Sequence, residues 1–347
     1  MRHSLCTYYP VSKNSADCTS PPSVTPGIPR LMPSIASEAV FSIKTFFPQE
    51  ADDWIQINAF QVVLNSVTQV SARLFVGEKL CRDPEWLKVA QKTAMAAFGT
   101  TFAISKWPAW THPITSQFLP EYQELQKYRA KGISMLKKNA AANLEKGDKG
   151  QEEDYLYTWI AKKNPKWVND FKAQADLQLE LSVAAIHTTT MALTHMLYDT
   201  AAHPEYIQIL RDEIKAASAQ NGGEYNRDCI LKMIKVDSFM KESQRLHPPG
   251  FTSFQRIVLK TFTLSDGTVI PKGVMLNVDG WSRYRDAENW ENPDQFDGLR
   301  FMRLREQSKD RGNHQYLSSN SDYVSWGQGK HACPGMSHIN SFHRLAI

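Results

Sequence analysis

No stretch of this 347-residue chain comes near the ~18 consecutive apolar residues that cross a bilayer, and its first 30 residues hold no apolar core of a signal peptide. Its five cysteines, Cys6, Cys18, Cys81, Cys229 and Cys333, are odd in number, scattered and free of any C-x-x-C pair. A disulfide framework and a zinc ribbon are thereby excluded, and the chain reads as one kept in a reducing compartment. Charge of one sign is also scarce. Forty basic residues face 36 acidic ones, interspersed, which argues against a nucleic-acid partner. What is present is 42% hydrophobic residues with 11% aromatics, enough for a sizeable core in one large or two ordinary domains.

Proline marks the first boundary. Six of the 18 prolines lie in the first 33 residues among serines and threonines, so residues 1–35 are expected to form an irregular tail. Helical patterns are read at Ile55–Val76 and Trp86–Ala103, and a basic helix at Gln126–Lys149. Between Pro165 and Pro204 there are 38 residues with neither Gly nor Pro. As one helix they would reach roughly 57 Å at ~1.5 Å per residue. Shorter helices are expected at Glu205–Ala217 and Asp237–Leu246, the latter stopped by Pro248 and Pro249. A small β region follows at Thr252–Val258, Phe262–Leu264 and Val274–Val278, with Asp266-Gly267 as a tight turn. The fold class is therefore mainly α with a small β region (α+β).

Residues 326–335 read Trp-Gly-Gln-Gly-Lys-His-Ala-Cys-Pro-Gly. Gly327, Gly329 and Gly335 let the backbone turn tightly and pass close to something flat. Cys333 sits beside Lys330 and His331 among freed backbone N–H groups, which favours a thiolate. A thiolate on such a loop, with Trp326 upstream to stack, suits the proximal position on a haem iron. A zinc site from His331, Cys333, His338 and His343 is the weaker rival, because it lacks a second thiolate.

This loop resembles the haem-binding signature of the cytochrome P450 family, with Trp326 where Phe is usual and His331 at the basic position that contacts a haem propionate. Three further segments resemble the family in order. Glu242-Ser-Gln-Arg245 resembles its Glu-x-x-Arg motif. Phe296-Asp-Gly-Leu-Arg300-Phe301 resembles the segment whose Arg completes that ion network, with Gly298 and Leu299 in place of the usual Pro and Glu. Arg256 falls where a second propionate-binding Arg stands. Ala184-Ala-Ile-His187-Thr188-Thr189 resembles the oxygen-activation stretch, with Thr188 at the catalytic Thr and His187, where Asp or Glu is usual, as a second catalytic residue whose imidazole can shuttle protons near pH 7.

The resemblance implies an incomplete cytochrome P450 fold: a single haem domain over residues 36–347 lacking its N-terminal portion and C-terminal end. It covers residues 36–335. An upstream Trp-x-x-x-Arg helix is missing, since Trp281 to Arg285 lies downstream of Glu242, and the residues after Gly335 follow a different pattern. The implied cofactor is haem b (iron protoporphyrin IX) on the Cys333 thiolate. The implied partners are an NADPH-cytochrome P450 reductase, O2 and an apolar small molecule. Lys330 and its basic neighbours are a candidate face for the acidic reductase. The motif variants look most like filamentous-fungal members of secondary metabolism, some of which oxidise terpenoid skeletons. The implied activity is monooxygenation. The alternative is a truncated remnant without catalysis. With no anchor, the expected location is cytoplasmic or loosely membrane-associated, where the family is normally held at the endoplasmic reticulum.

Overall fold

A computed structural model describes residues 28–49, 53–145, 155–156, 170–309, 311–329, 332–333 and 335. The chain forms two compact units, Met1–Thr190 and Met191–Ile347, with the division inside one long helix.

The first unit is helical. Helix α1 spans Ile28–Phe46, so regular structure begins eight residues before the boundary that proline content suggests. Pro29 lies in the first turn, where its missing N–H costs nothing. Pro33 sits inside the helix and is tolerated because Leu31, Met32, Ile35 and Ala39 are buried around it. The irregular 1–35 tail is corrected accordingly; residues 1–27 lie outside the described part.

Helix α2 (Ala59–Val76) starts at Asn58, whose side chain accepts the Gln61 N–H. Gly77, at φ 83°, links it to the single turn α3 (Glu78–Cys81). Asp83 caps α4 (Pro84–Ile104), with Pro84 in the first turn. A 3-10 turn (Ala109–Thr111) and α5 (His112–Phe118) lead into α6 (Pro120–Glu145). The long Gly- and Pro-free stretch is α7 (Phe171–Ala202). Ala94, Ala96 and Ala97 of α4 form a core with Leu125 of α6 and Val183 of α7. Gly132 permits the close approach of α6, since a Cβ there would lie 3.2 Å from Leu179 Cδ1 and 3.5 Å from Val89 Cγ1. Arg129 closes the α6–α7 seam with a two-pronged bond to Asp176, at 2.5 and 2.6 Å.

The second unit holds α8 (Glu205–Ala219), α9 (Arg227–Lys232) and α10 (Ile234–Leu246). Two antiparallel pairs follow: β1 (Thr252–Ile257) with β4 (Met275–Asp279), and β2 (Phe262–Thr263) with β3 (Val269–Ile270). Gly267, at φ 90°, makes the turn read from Asp266-Gly267. The two-residue strand β3 is too short for an alternation signal. Helices α11 (Gly280–Arg283) and α12 (Arg300–Gln307) are the regular α-helical parts of an otherwise looping chain that ends at the Cys333 loop.

Candidate functional site

Irregular chain can be buried only if something supplies hydrogen bonds to its backbone. In the second unit α10 does this. Every residue from Val236 to Leu246 is buried. Glu242 and Arg245, three apart on one face, form a two-pronged pair at 2.8 and 2.9 Å. Arg300, from the start of α12, adds its Nε at 3.1 and 3.2 Å from the two carboxylate oxygens. The spare guanidinium hydrogens go to loop carbonyls: Arg245 to those of Tyr284 and Pro293, Arg300 to those of Glu291, Asn292 and Gln295. The Asp297 N–H donates back to Glu242. One carboxylate thus faces two guanidiniums, none of the three is more than 8% exposed, and the loop 284–297 hangs on them.

Gly298 explains the departure read in the Phe296–Phe301 segment. A Cβ there would lie 2.8 Å from the Phe239 ring and 2.9 Å from that of Tyr206. Its N–H donates to the Tyr206 hydroxyl at 3.2 Å. An aromatic cluster of His203, Tyr206, Phe239 and Phe296 fills the room a larger residue would need.

The Cys333 loop is shaped by its own backbone. Gly327 (φ 70°) and Gly329 (φ 62°) are left-handed, where residues with a Cβ are strained. The Gly327 N–H donates to the Val324 carbonyl and the Ala332 N–H to that of Gly329. The Cys333 N–H donates to the carbonyl of Trp326 at 2.8 Å. Trp326 is 6% exposed, its indole N–H held by the Tyr316 carbonyl at 2.7 Å. Cys333, Ala332 and Gly335 are half-buried. Lys330, His331 and Pro334 lie outside the described residues, as do His338 and His343 of the zinc alternative.

Arg256 lies just after a bulge in β1. Ser253 pairs with Val278 but Arg256 with Leu276, so two residues of β1 face one of β4. The extra residue shifts the alternation, and Ser253 and Arg256 become the two half-buried positions of the strand. The Ser253 hydroxyl donates to the Val324 carbonyl, two residues before Trp326. Phe254, at φ 53°, carries the strain of the bulge, and the Arg256 guanidinium lies 4.6 Å over its ring.

On α7, His187 and Thr188 do not share a face. Thr188 is exposed, its hydroxyl donating to the Ala184 carbonyl at 2.7 Å. His187 turns to α4, edge-on to Phe98 at 6.2 Å. Burial lowers its pKa and outweighs a backbone hydrogen bond with Gln91, so the ring is held neutral. Ala184 and Thr188, four apart, form the open face.

The Cys333 loop by itself fits a haem b. Cys333 is half-buried, and a Cβ on the left-handed Gly329 of the same loop would meet nothing within 4 Å. Among the described residues no cluster of His, Cys, Asp and Glu is arranged to hold a metal ion by itself.

The family model described as Cytochrome P450 matches residues 19–337. The chain belongs to the cytochrome P450 family. The match starts 17 residues before the 36–335 span read from motifs, and takes in the Cys333 loop. Cytochrome P450 monooxygenase AN1598 of Emericella nidulans is 36% identical over 320 residues, covering 90% of this chain and 59% of that one. Cytochrome P450 monooxygenase olcJ of Penicillium canescens is 36% identical over 318 residues, with the same coverages. Ent-kaurene oxidase P450-4 of Gibberella fujikuroi is 29% identical over 328 residues, covering 93% and 64%. The chain thus spans about three fifths of the length of such P450 relatives. The fold is shared with the retinoic acid-bound cyanobacterial CYP120A1, at a TM-score of 0.67 and 18% identity, over 99% of this chain and 69% of that one. Among the described residues of this P450 no helix is long and apolar enough to cross a membrane.

Sequence reasoning singled out Glu242, Arg245 and Arg300 but passed over Asp237, Lys241, Tyr284 and Tyr316. Each of these is buried or nearly so and bonds to loop backbone or loop side chains. For Asp237 and Lys241 the i,i+4 spacing of two charges ahead of Arg245 was the available signal; Tyr284 and Tyr316 carry none.

Proposed function

We propose that the protein is a haem-thiolate monooxygenase. It would insert one oxygen atom of O2 into an apolar secondary metabolite of terpenoid or diterpenoid type, the other atom leaving as water. Two electrons would come from NADPH through a cytochrome P450 reductase. The observation that carries this reading is the Cys333 loop: a half-buried cysteine on a turn shaped by two left-handed glycines, inside the span of the family match. The Emericella and Penicillium relatives are named as monooxygenases, and the Gibberella relative as an ent-kaurene oxidase, which supports the terpenoid class.

In this reading Cys333 holds the iron, and Trp326, Gly327, Gly329 and Gly335 shape the loop around the ring. His331 and Arg256 answer the propionate charges. When bound, the haem supplies oxygen activation, which a thiolate ligand favours by releasing electron density. Thr188 moves a proton at its Oγ1, next to the small Ala184. His187, neutral and packed edge-on to Phe98, is the second candidate for moving protons on α7. Glu242, Arg245 and Arg300 keep the loop 284–297 in place and take no part in proton movement.

The test is the absorbance of the purified, reduced, CO-treated protein. A thiolate-type Soret band that is lost in Cys333→Ser is the expected result. Absence of haem uptake by the unaltered chain would overturn the reading in favour of a non-catalytic remnant. A spin-state shift on adding a diterpene, with none on adding polar metabolites, tests the substrate class.

A further inference from the structure

Lys241 is 1% exposed and has no carboxylate partner. Burial pushes its ammonium well below the usual lysine range. A lysine in that situation normally finds a counter-charge or stays at the surface. Here all three N–H bonds are used instead on one turn of chain. They go to the Gln315 carbonyl at 2.8 Å, the Ser318 carbonyl at 2.9 Å and the Ser318 hydroxyl at 3.1 Å. The Tyr323 ring covers the ammonium at 3.7 Å.

One helical turn earlier on the same face, Asp237 accepts the N–H of Tyr316 at 3.0 Å. The chain around Tyr316 is therefore gripped by an acceptor from Asp237 and by donors from Lys241. What the grip fixes is the Tyr316 carbonyl, which takes the buried indole N–H of Trp326, and the Trp326 carbonyl takes the Cys333 N–H. A buried indole N–H needs a partner, and the family's more usual Phe at this position would need none.

We infer that Lys241 is a positioning residue for the Cys333 thiolate, acting through the 315–318 turn and the Trp326 indole. This rests on the haem-thiolate reading above, and it assigns a role to a residue outside the Glu242–Arg245–Arg300 network. Lys241→Met keeps the stem and removes the three donors. The freed turn would no longer present the Tyr316 carbonyl, and the stranded indole would push the loop out of register.

The experiment compares the haem-loaded protein, Lys241→Met, Trp326→Phe and the double variant. The readouts are the shares of thiolate-type and thiol-type bands under CO and the haem midpoint potential. Backbone hydrogen exchange over residues 315–333 is followed in the haem-free chain. Lys241→Met should lose most of its thiolate-type band, shift the potential and quicken exchange. Adding Trp326→Phe should restore much of the band, because no indole is left without a partner. Two outcomes overturn the inference: an unchanged band and potential with only a lower unfolding temperature, or additive losses in the double variant. Should Lys241→Met not accumulate, Ser318→Ala, which deletes one acceptor, must show a smaller loss in the same direction; an unchanged band overturns the inference. A wild-type chain without a thiolate-type band overturns the monooxygenase reading itself, which separates that failure from this one.

Discussion

Helix α4 is buried through Ala90, Ala94, Ala96, Ala97 and Val89, whereas α10 has no residue from Val236 to Leu246 above 6% exposure and most of them are polar. Their neighbours account for the difference. Helix α4 meets other helices, whose backbones are already hydrogen-bonded, so only shape has to match. Even its buried Thr100 turns its hydroxyl back to the Ala96 carbonyl. Helix α10 touches α8 and α12 but also meets loops. Those carry unpaired N–H and C=O groups that would be costly to bury, and α10 answers them with Asp237, Lys241, Glu242 and Arg245. A buried polar helix is thus the complement of buried irregular chain.

The largest test of this contrast is Glu242→Ala. It strands two buried guanidiniums and should cost about 3–5 kcal/mol of stability, read by denaturant unfolding. A loss no greater than an ordinary surface ion pair would break the comparison. Next in size is Gly298→Ala, where the added methyl meets Phe239 and Tyr206. Overpacking of this kind costs roughly 1–3 kcal/mol, and the unfolding midpoint should fall with no change in the charges of the network.

The smallest effect belongs to the helix–helix side. His187 is a polar ring among α4 contacts, and burial lowers its pKa. Because the folded value lies below the unfolded one, the unfolded state binds the extra proton. The stability contributed by the neutral ring is complete above about pH 6.5, the ordinary imidazole value, and is lost as pH falls through the lowered folded value. His187→Asn should therefore flatten the acid side of the stability profile. A profile that stays parallel to wild type would show the ring to be indifferent to its burial.

The same contrast governs what could be read from the residues. The helices α2, α4 and α7 carry their own signals in caps, periodicity and the 38-residue run without Gly or Pro. Helix α1 was not read from the residues, and its first turns fall inside the expected tail, because proline content says nothing of the burial of Leu31, Met32 and Ile35. The Glu242–Arg245 spacing was legible as a local pair. The loop partners of Lys241 and the Tyr316 partner of Asp237 lie more than 70 residues away, beyond any periodicity.

By itself the sequence determined the helical class, the glycine turn that presents Cys333 and the choice of Trp326, since φ preferences and spacing are local properties of the chain. The tertiary structure alone decided that β1 bulges between Ser253 and Arg256, that His187 turns from Thr188 toward Phe98, and that Lys241 grips a turn without a counter-ion. Each of these depends on which backbone groups a distant segment leaves unpaired, and that is fixed only when the chain has packed.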